Sequence, residues 1–233
     1  MIGFIGKSLL IEENGERVLV VSDLHLGYGE SLRESGVFVP ENIHAGMMKD
    51  FKEIFERVGR VDKIIILGDV KHEIGRILGD EWKEVRNLFG MLEEHCEEIV
   101  VIKGNHDALL GAMLKNRVEL KEFYLWKDCA FLHGNKDYLE IYDKKIKNWF
   151  MGHIHPALNL REGVKEEKYK CFLDGKFKGR RVVVLPSFFS AAEGSDPRET
   201  RQETAWELNF ERFNVWVVGD KLEVLDFGLL KDI

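Results

Sequence analysis

Ile99-Val100-Val101-Ile102-Lys103-Gly104-Asn105-His106-Asp107 is the stretch whose reading decides the fold. Four successive aliphatic residues mark a short strand buried on both faces, as in a parallel sheet. Asn105, His106 and Asp107 follow almost at once, where the strand would end. Open α/β sheets gather their functional groups at strand carboxyl ends. Three polar side chains there are more than a turn needs.

Outward from this stretch the pattern repeats. Arg17-Val18-Leu19-Val20-Val21 delivers Ser22-Asp23-Leu24-His25, and Lys63-Ile64-Ile65-Ile66-Leu67 delivers Gly68-Asp69. Cys129–Leu132 leads into His133-Gly134, and Trp149–Met151 into Gly152-His153-Ile154-His155. Taken singly, each has an ordinary reading: a capping Asp, a turn, an exposed alternating strand. Together they hold every histidine except His44, His95 and His72, and His72 adjoins Gly68-Asp69. His44 and His95 fall in expected helices and read as structural. Asp, Asn and His ligands of this kind suit first-row ions such as Mn²⁺, Fe or Zn²⁺, and imidazole disfavours a pure Mg²⁺ site.

The intervening segments complete an α/β layer. Ser8–Glu12 and Arg17–Val21 flank Asn14-Gly15, whose positive φ angles suit a hairpin. Residues 26–39 read as a loop with a short helical turn. A helix is expected from Pro40 to about Val58, with Met47, Phe51, Ile54 and Phe55 on one face, and another from Asp80 to about His95. The first half is therefore strand-helix-strand-helix-strand. After a short helix at Leu109–Leu114, the second half reads as mostly strand. The candidates are Val118–Leu120, Cys129–Leu132, Trp149–Met151, Tyr169–Leu173, Val182–Leu185, Trp206–Asn209, Val215–Val218 and Leu222–Phe227. A second sheet packed on the first is expected, in one domain spanning residues 1–233. Trp206, Phe210, Phe213 and Trp216 read as core, Lys144–Lys147 as a solvated turn, and Ser190–Glu203 as the most mobile loop.

Bulk properties narrow the setting. A net charge of −7 gives no support to a broad nucleic-acid surface, though a local groove remains open. Cys96, Cys129 and Cys171 are odd in number and widely spaced, which favours a reducing, cytoplasmic location over a disulfide framework. The start is too short and Gly-broken for a signal peptide, and no apolar run approaches the ~20 residues of a membrane span. Charged residues reach 32% and Gln202 is the lone glutamine, a balance expected of a thermophile.

The ordered set Asp-x-His, Gly-Asp, Gly-Asn-His-Asp, His-Gly and Gly-His-x-His resembles the calcineurin-like metallophosphoesterase family over roughly residues 17 to 156. Ser22–Gly27, Gly68–His72 and Leu185-Pro186-Ser187-Phe188 resemble more narrowly the archaeal phosphoesterases related to the SbcD-type nuclease and those associated with DNA ligases. The resemblance implies a four-layer αββα sandwich of two mixed sheets and two divalent ions, with Mn²⁺ preferred and Fe, Zn²⁺, Ni²⁺ or Mg²⁺ as alternatives. It implies Asp23, His25, Asp69 and His155 at one ion, and Asp69, Asn105, His133 and His153 at the other. A water between the ions, acidified to hydroxide, would attack phosphorus.

The same resemblance puts His106 against the substrate and His72 near the reaction. Asp107 reads either as the orienter of His106 or as a helix cap. Lys71 stands where the SbcD-type pattern has an aromatic residue, so it is a candidate phosphate ligand. Tyr28, Arg33 and Arg76 are candidates for the mouth of the site. Protein phosphatases of the family extend Gly-Asp as Gly-Asp-x-Val-Asp-Arg-Gly, which Gly68-Asp69-Val70-Lys71-His72-Glu73 does not match. The expected activity is a phosphodiesterase or nuclease-like hydrolase. The alternatives are a phosphomonoesterase on small metabolites and a non-catalytic scaffold. The length leaves no room for the DNA-capping domain of SbcD-type nucleases. Short or single-stranded nucleic acid or a cyclic nucleotide is therefore the expected substrate, without a membrane. A homo-oligomer and DNA-repair partner proteins are the associations considered.

Overall fold

The computed structural model describes residues 1–38, 43–114, 117–163, 165–199 and 203–233. The first sheet holds six strands in sequence order: β1 (Ile2–Ile5), β2 (Ser8–Glu13), β3 (Glu16–Val21), β4 (Lys63–Ile66), β5 (Glu98–Ile102) and β6 (Glu119–Lys121). The hairpin expected around Asn14-Gly15 joins β2 to β3, and β3 through β6 run parallel. Three of these parallel strands, β3, β4 and β5, therefore end side by side, at Val21, Ile66 and Ile102. Helix α1 (Tyr28–Glu34) supplies the helical turn expected after His25. Helices α2 (Ile43–Val58) and α3 (Gly79–His95) connect the parallel strands. The expected start of α2 at Pro40 lies outside the described residues. A short helix α4 (Leu110–Leu114) follows β5.

The second sheet runs β14-β13-β11-β12-β9-β8-β7, and β10 pairs with β11. Its strands are β7 (Tyr124–Trp126), β8 (Cys129–Leu132), β9 (Asn148–Met151), β10 (Ala157–Glu162), β11 (Lys165–Phe177), β12 (Arg180–Val184), β13 (Asn214–Val218) and β14 (Val224–Leu229). Its β8, β9 and β12 run parallel to one another, and the other pairings are antiparallel, so both sheets are mixed.

The alternation of side chains along each strand assembles the layers. Leu19, Val21, Ile64, Ile66 and Val101 face α2 and α3, where they meet Phe51, Ile54, Leu88 and Phe89. Their neighbours Val18, Val20, Ile65, Val100 and Ile102 face the second sheet and pack on Phe131, Phe150, Phe172 and Val183. The sandwich is the one the sequence led us to expect. Its fourth layer is thin: Ile141, Ile146, Trp206, Phe210, Phe213 and Leu230 cover the outer face from loops and 3-10 turns.

The strand expected at Trp206–Asn209 does not form. Trp206 is buried on the outer face and donates Nε1–H to the Tyr142 hydroxyl at 2.9 Å. The surrounding backbone bonds locally, with Leu208 N–H on the Trp206 carbonyl and the Asn209 side chain accepting from Glu211 N–H. The aromatic pattern signalled burial, as expected of Trp206, Phe210 and Phe213, without a ladder partner. Among the described residues no helix is long and apolar enough to cross a membrane.

Candidate active site

The loops after β3, β4, β5, β8 and β9 meet at one end of the sandwich. Backbone bonds lace the first two together: Asp23 N–H donates to the Gly68 carbonyl at 3.1 Å, and His25 N–H to the Asp69 carbonyl at 2.9 Å. The third joins through His106 N–H, which donates to Asp69 Oδ1 at 3.0 Å. The β9 loop joins through His153 N–H, 3.0 Å from Asp23 Oδ2. Gly104 is required at this junction, because a Cβ there would strike the Asp69 carboxylate and backbone.

Five of these side chains sit on backbone that L-residues rarely adopt. Asp23, His25, Asp69, His153 and His155 all have φ between 44° and 73°. Left-handed backbone at a non-glycine residue is uncommon and clusters where function fixes the geometry. The turns aim carboxylates and imidazoles inward from three strand ends, those of β3, β4 and β9.

Asp23, Asp69, His25 and His133 are buried. Asp23, His25 and His155 form one group able to hold a metal ion, and Asp69, His133 and His153 form a second. His25 Nε2 and His155 Nε2 are 3.2 Å apart, and His133 Nε2 and His153 Nδ1 are 3.1 Å apart. Two imidazole nitrogens on one tetrahedral zinc-type ion would lie about 3.4 Å apart. Asn105 Oδ1 lies 3.0 Å from His133 Nε2, so it borders the second group. His133 Nδ1 bonds to the Leu67 carbonyl at 2.7 Å, which fixes a proton on Nδ1 and leaves Nε2 as the atom turned inward. These residues fit a pair of ions in number, donor type and spacing.

The electrostatics are those of a crowded acidic centre. Burial alone would raise the Asp23 carboxyl, but His155, His133 and His25 outweigh it and hold it well below the usual range. Burial, opposed by Asp23, pushes His25 down to about 3. Burial likewise works against a charged His133, but the hydrogen bond to Asp69 and the Asp23 and Asp69 charges hold it up at about 9.

His106 lies beside these groups. Its Nδ1 bonds to the His72 carbonyl, and its Nε2 is 3.9 Å from Asp69 Oδ2. His25, His72 and His106 also form a compact cluster of imidazoles. Tyr28 packs edge-on against His72 at 4.5 Å and against Phe189 at 5.1 Å, forming an aromatic wall.

Two expectations are corrected here. Asp107 does not orient His106: its carboxylate accepts from Gly104 and Val70 N–H at 2.9 Å and from Lys71 N–H at 3.3 Å. It locks the β4 and β5 loops together instead, and burial lifts it to about 6. Lys71 cannot take phosphate at the mouth, because its side chain is fully buried 3.3 Å from the Glu81 carboxylate. Arg33 is exposed near the mouth but bonds to Asp80 at 3.0 Å, and Arg76 is paired with Glu34 and Glu73.

The sequence reading missed several supporting residues. Ser187 Oγ–H donates to the Asp23 carbonyl at 2.8 Å, and Phe188 N–H donates to the Ser22 carbonyl. Lys170 Nζ donates to the Ser187 and Phe189 carbonyls at 2.9 and 2.6 Å. The run Leu185–Phe188 behind an apolar strand signalled the first two. Lys170 sits in a strand of alternating charge and carried no signal.

Known proteins agree with this architecture. The family model for calcineurin-like phosphoesterases matches residues 16–223. The chain belongs to that family, whose members are hydrolases acting on phosphoester bonds. Its structure is similar to nuclease MPE of Pseudomonas putida, at 18% identity and a TM-score of 0.62 over 94% of this chain and 100% of that one. Weaker likenesses join it to zinc-complexed Vps29 of Entamoeba histolytica (17% identity, TM-score 0.39, 91% of this chain and 99% of that one). A predicted phosphoesterase of Streptococcus pneumoniae is 17% identical, with a TM-score of 0.34 over 91% of this chain and 96% of that one. A search of curated proteins finds no match.

Proposed function

We propose that the protein is a dinuclear metal-dependent phosphodiesterase acting on nucleotide or nucleic-acid esters. Asp23, His25, Asp69 and His155 would hold one ion, and Asp69, Asn105, His133 and His153 the other, with Mn²⁺ preferred. The observation that carries this reading is the pair of abutting ligand groups, each with two imidazole nitrogens about one coordination edge apart. Bound there, such ions supply Lewis acidity toward phosphoryl oxygens and lower the pKa of water.

The protein's own groups do the rest. Asp69, shared between the two ions, would offset positive charge from both sides. His106 presents Nε2 toward the same space; with Nδ1–H held by the His72 carbonyl, a proton taken up at Nε2 can pass to the leaving oxygen. The Tyr28, His72 and Phe189 rings give a sugar or base an apolar wall.

A diester is favoured over a monoester by the charges at the rim. Of the candidate cations, Arg33 and Arg76 are engaged with carboxylates and Lys71 is buried away from the mouth, which leaves none of the three for the second charge of a monoester. The Pseudomonas neighbour is described as a nuclease, which puts nucleic acid among the substrates to test.

The test compares bis-p-nitrophenyl phosphate with p-nitrophenyl phosphate, then single-stranded DNA, RNA and cyclic nucleotides, all with Mn²⁺. A higher kcat/KM on the diester is expected. A monoester preference would overturn the substrate class, and no turnover on any phosphoester would overturn the function.

A further inference from the structure

We propose that the buried ion pair Lys71–Glu81 is a positioning device for His106, acting through the carbonyl of His72. The inference rests on the reading above, in which His106 faces the substrate. It concerns two residues outside the metal groups, one on the β4 loop and one in the first turn of α3.

Both side chains are fully buried, with Lys71 Nζ 3.3 Å from Glu81 Oε1. Such a pair is costly to desolvate, so it persists only where further hydrogen bonds complete it. Here they do. Glu81 Oε1 accepts from His72 and Glu73 N–H, each at 3.1 Å, and Oε2 accepts from Leu78 N–H at 3.3 Å. Lys71 Nζ donates to the Glu73 carbonyl and, at 3.2 Å, to the Arg76 carbonyl. The two charges thus bind both ends of the 72–78 loop from inside.

The pinned segment is the one that holds the imidazole. His72 N–H is fixed by Glu81 and by the Leu26 carbonyl at 2.9 Å. The opposite face of the same residue offers its carbonyl to His106 Nδ1. A carbonyl only accepts, so His106 must carry a proton on Nδ1, which leaves Nε2 as the atom that faces Asp69. Glu81 also presses on the loop after His25. Gly27 has φ +84°, and a Cβ there would meet the Glu81 Cβ at 2.5 Å. One buried side chain therefore packs on the loop after His25, binds the His72 backbone and, through the His72 carbonyl, reaches His106.

This arrangement gives Lys71 a purpose that phosphate binding does not. It neutralises a carboxylate that would otherwise be buried alone. A 1 Å error in a reacting group is enough to cost about 10²-fold in rate.

The experiment is a double-variant cycle on the Mn²⁺-loaded protein with bis-p-nitrophenyl phosphate. Glu81→Gln keeps one acceptor oxygen for His72 N–H but loses the charge and an acceptor. It is expected to lower kcat about tenfold or more, with KM and bound metal within twofold of wild type. In the His106→Ala background the same substitution is expected to change kcat less than twofold. Equal effects in both backgrounds, or no effect in either, would overturn the proposal.

If Glu81→Gln does not fold, Lys71→Met with Glu81→Gln removes both charges together and enters the same cycle. A histidine ¹⁵N spectrum of the wild type in Zn²⁺ needs no variant. It should show His106 as the Nδ1–H tautomer, and the Nε2–H tautomer would overturn the proposal. Absence of turnover by the wild type would sink the functional reading alone, because the spectrum still reads the positioning.

Discussion

At His106 the imidazole is gripped on one side and free on the other. Nδ1 meets the His72 carbonyl, while Nε2 lies 3.9 Å from Asp69 Oδ2. A side chain held this way can transfer a proton without being needed for folding or for metal. His106→Ala should therefore lower kcat on a diester by roughly 10²–10⁴-fold. Bound metal, read by elemental analysis, should stay at wild-type level. Asp69 is different, because in the proposed site its carboxylate would serve both ions. Asp69→Ala should lose most bound metal and activity together, and metal retention would place the bridge elsewhere. The sequence made these residues legible because metal chemistry restricts residue type and because each follows an apolar strand. It misled at Lys71 and Asp107. Residue type says that an ammonium can bind phosphate and that a carboxylate can orient imidazole, but only packing decides what each one faces.

Among the elements, β11 and the loop after β12 support the Asp23 turn from below. Lys170 on β11 holds two carbonyls of that loop, and the loop bonds to the backbone at Ser22 and Asp23. Burial, reinforced by the Lys7 charge, brings the Lys170 amine down to about 7. The sign follows from linkage. The unfolded chain keeps this lysine protonated up to about pH 10.4, whereas the folded chain releases its proton near pH 7. Between those values the unfolded state binds more protons, so the Lys170 contribution to stability rises with pH. Below pH 7 both states are charged and the burial penalty is complete. Lys170→Met should flatten this rise in denaturant titrations from pH 6 to 10, and an unchanged pH slope would contradict it.

The same scale shows what sequence periodicity can and cannot give. The three parallel strands, α2, α3 and the β2–β3 hairpin were legible because each repeats its own period over enough residues. Ile2–Ile5, Tyr124–Trp126 and Ala157–Glu162 were missed because these strands are short or mixed in polarity, although each pairs with the strand that follows it. Trp206–Asn209 failed for the opposite reason: its apolar side chains bury against a sheet that its backbone never joins.

For the whole molecule, the two sheets share one interior. Phe150 is fully buried between them, stacked on Phe131 at 5.2 Å and packed near Val100 and Ile102. With that core common to both halves, we expect the chain to unfold as one domain, in a single transition seen alike by far-UV and near-UV signals. Two separated transitions would contradict this. Phe150→Ala should cost about 3–5 kcal/mol in denaturant unfolding, and a loss under 1 kcal/mol would show that the sheets do not depend on this contact.

Metal should add to the same stability, since ions held by five loops bind the folded chain and not the unfolded one. At 100 times the dissociation constant the gain is about 2.7 kcal/mol, so a chelator should lower Tm. The measurement bearing most directly on the dinuclear site is a Mn²⁺ titration of metal-free protein, reading bound ions and diester hydrolysis on the same samples. Activity should rise with metal and level off at about two ions per chain. A protein that fills both positions and hydrolyses no phosphoester, or is fully active with none bound, would contradict the account.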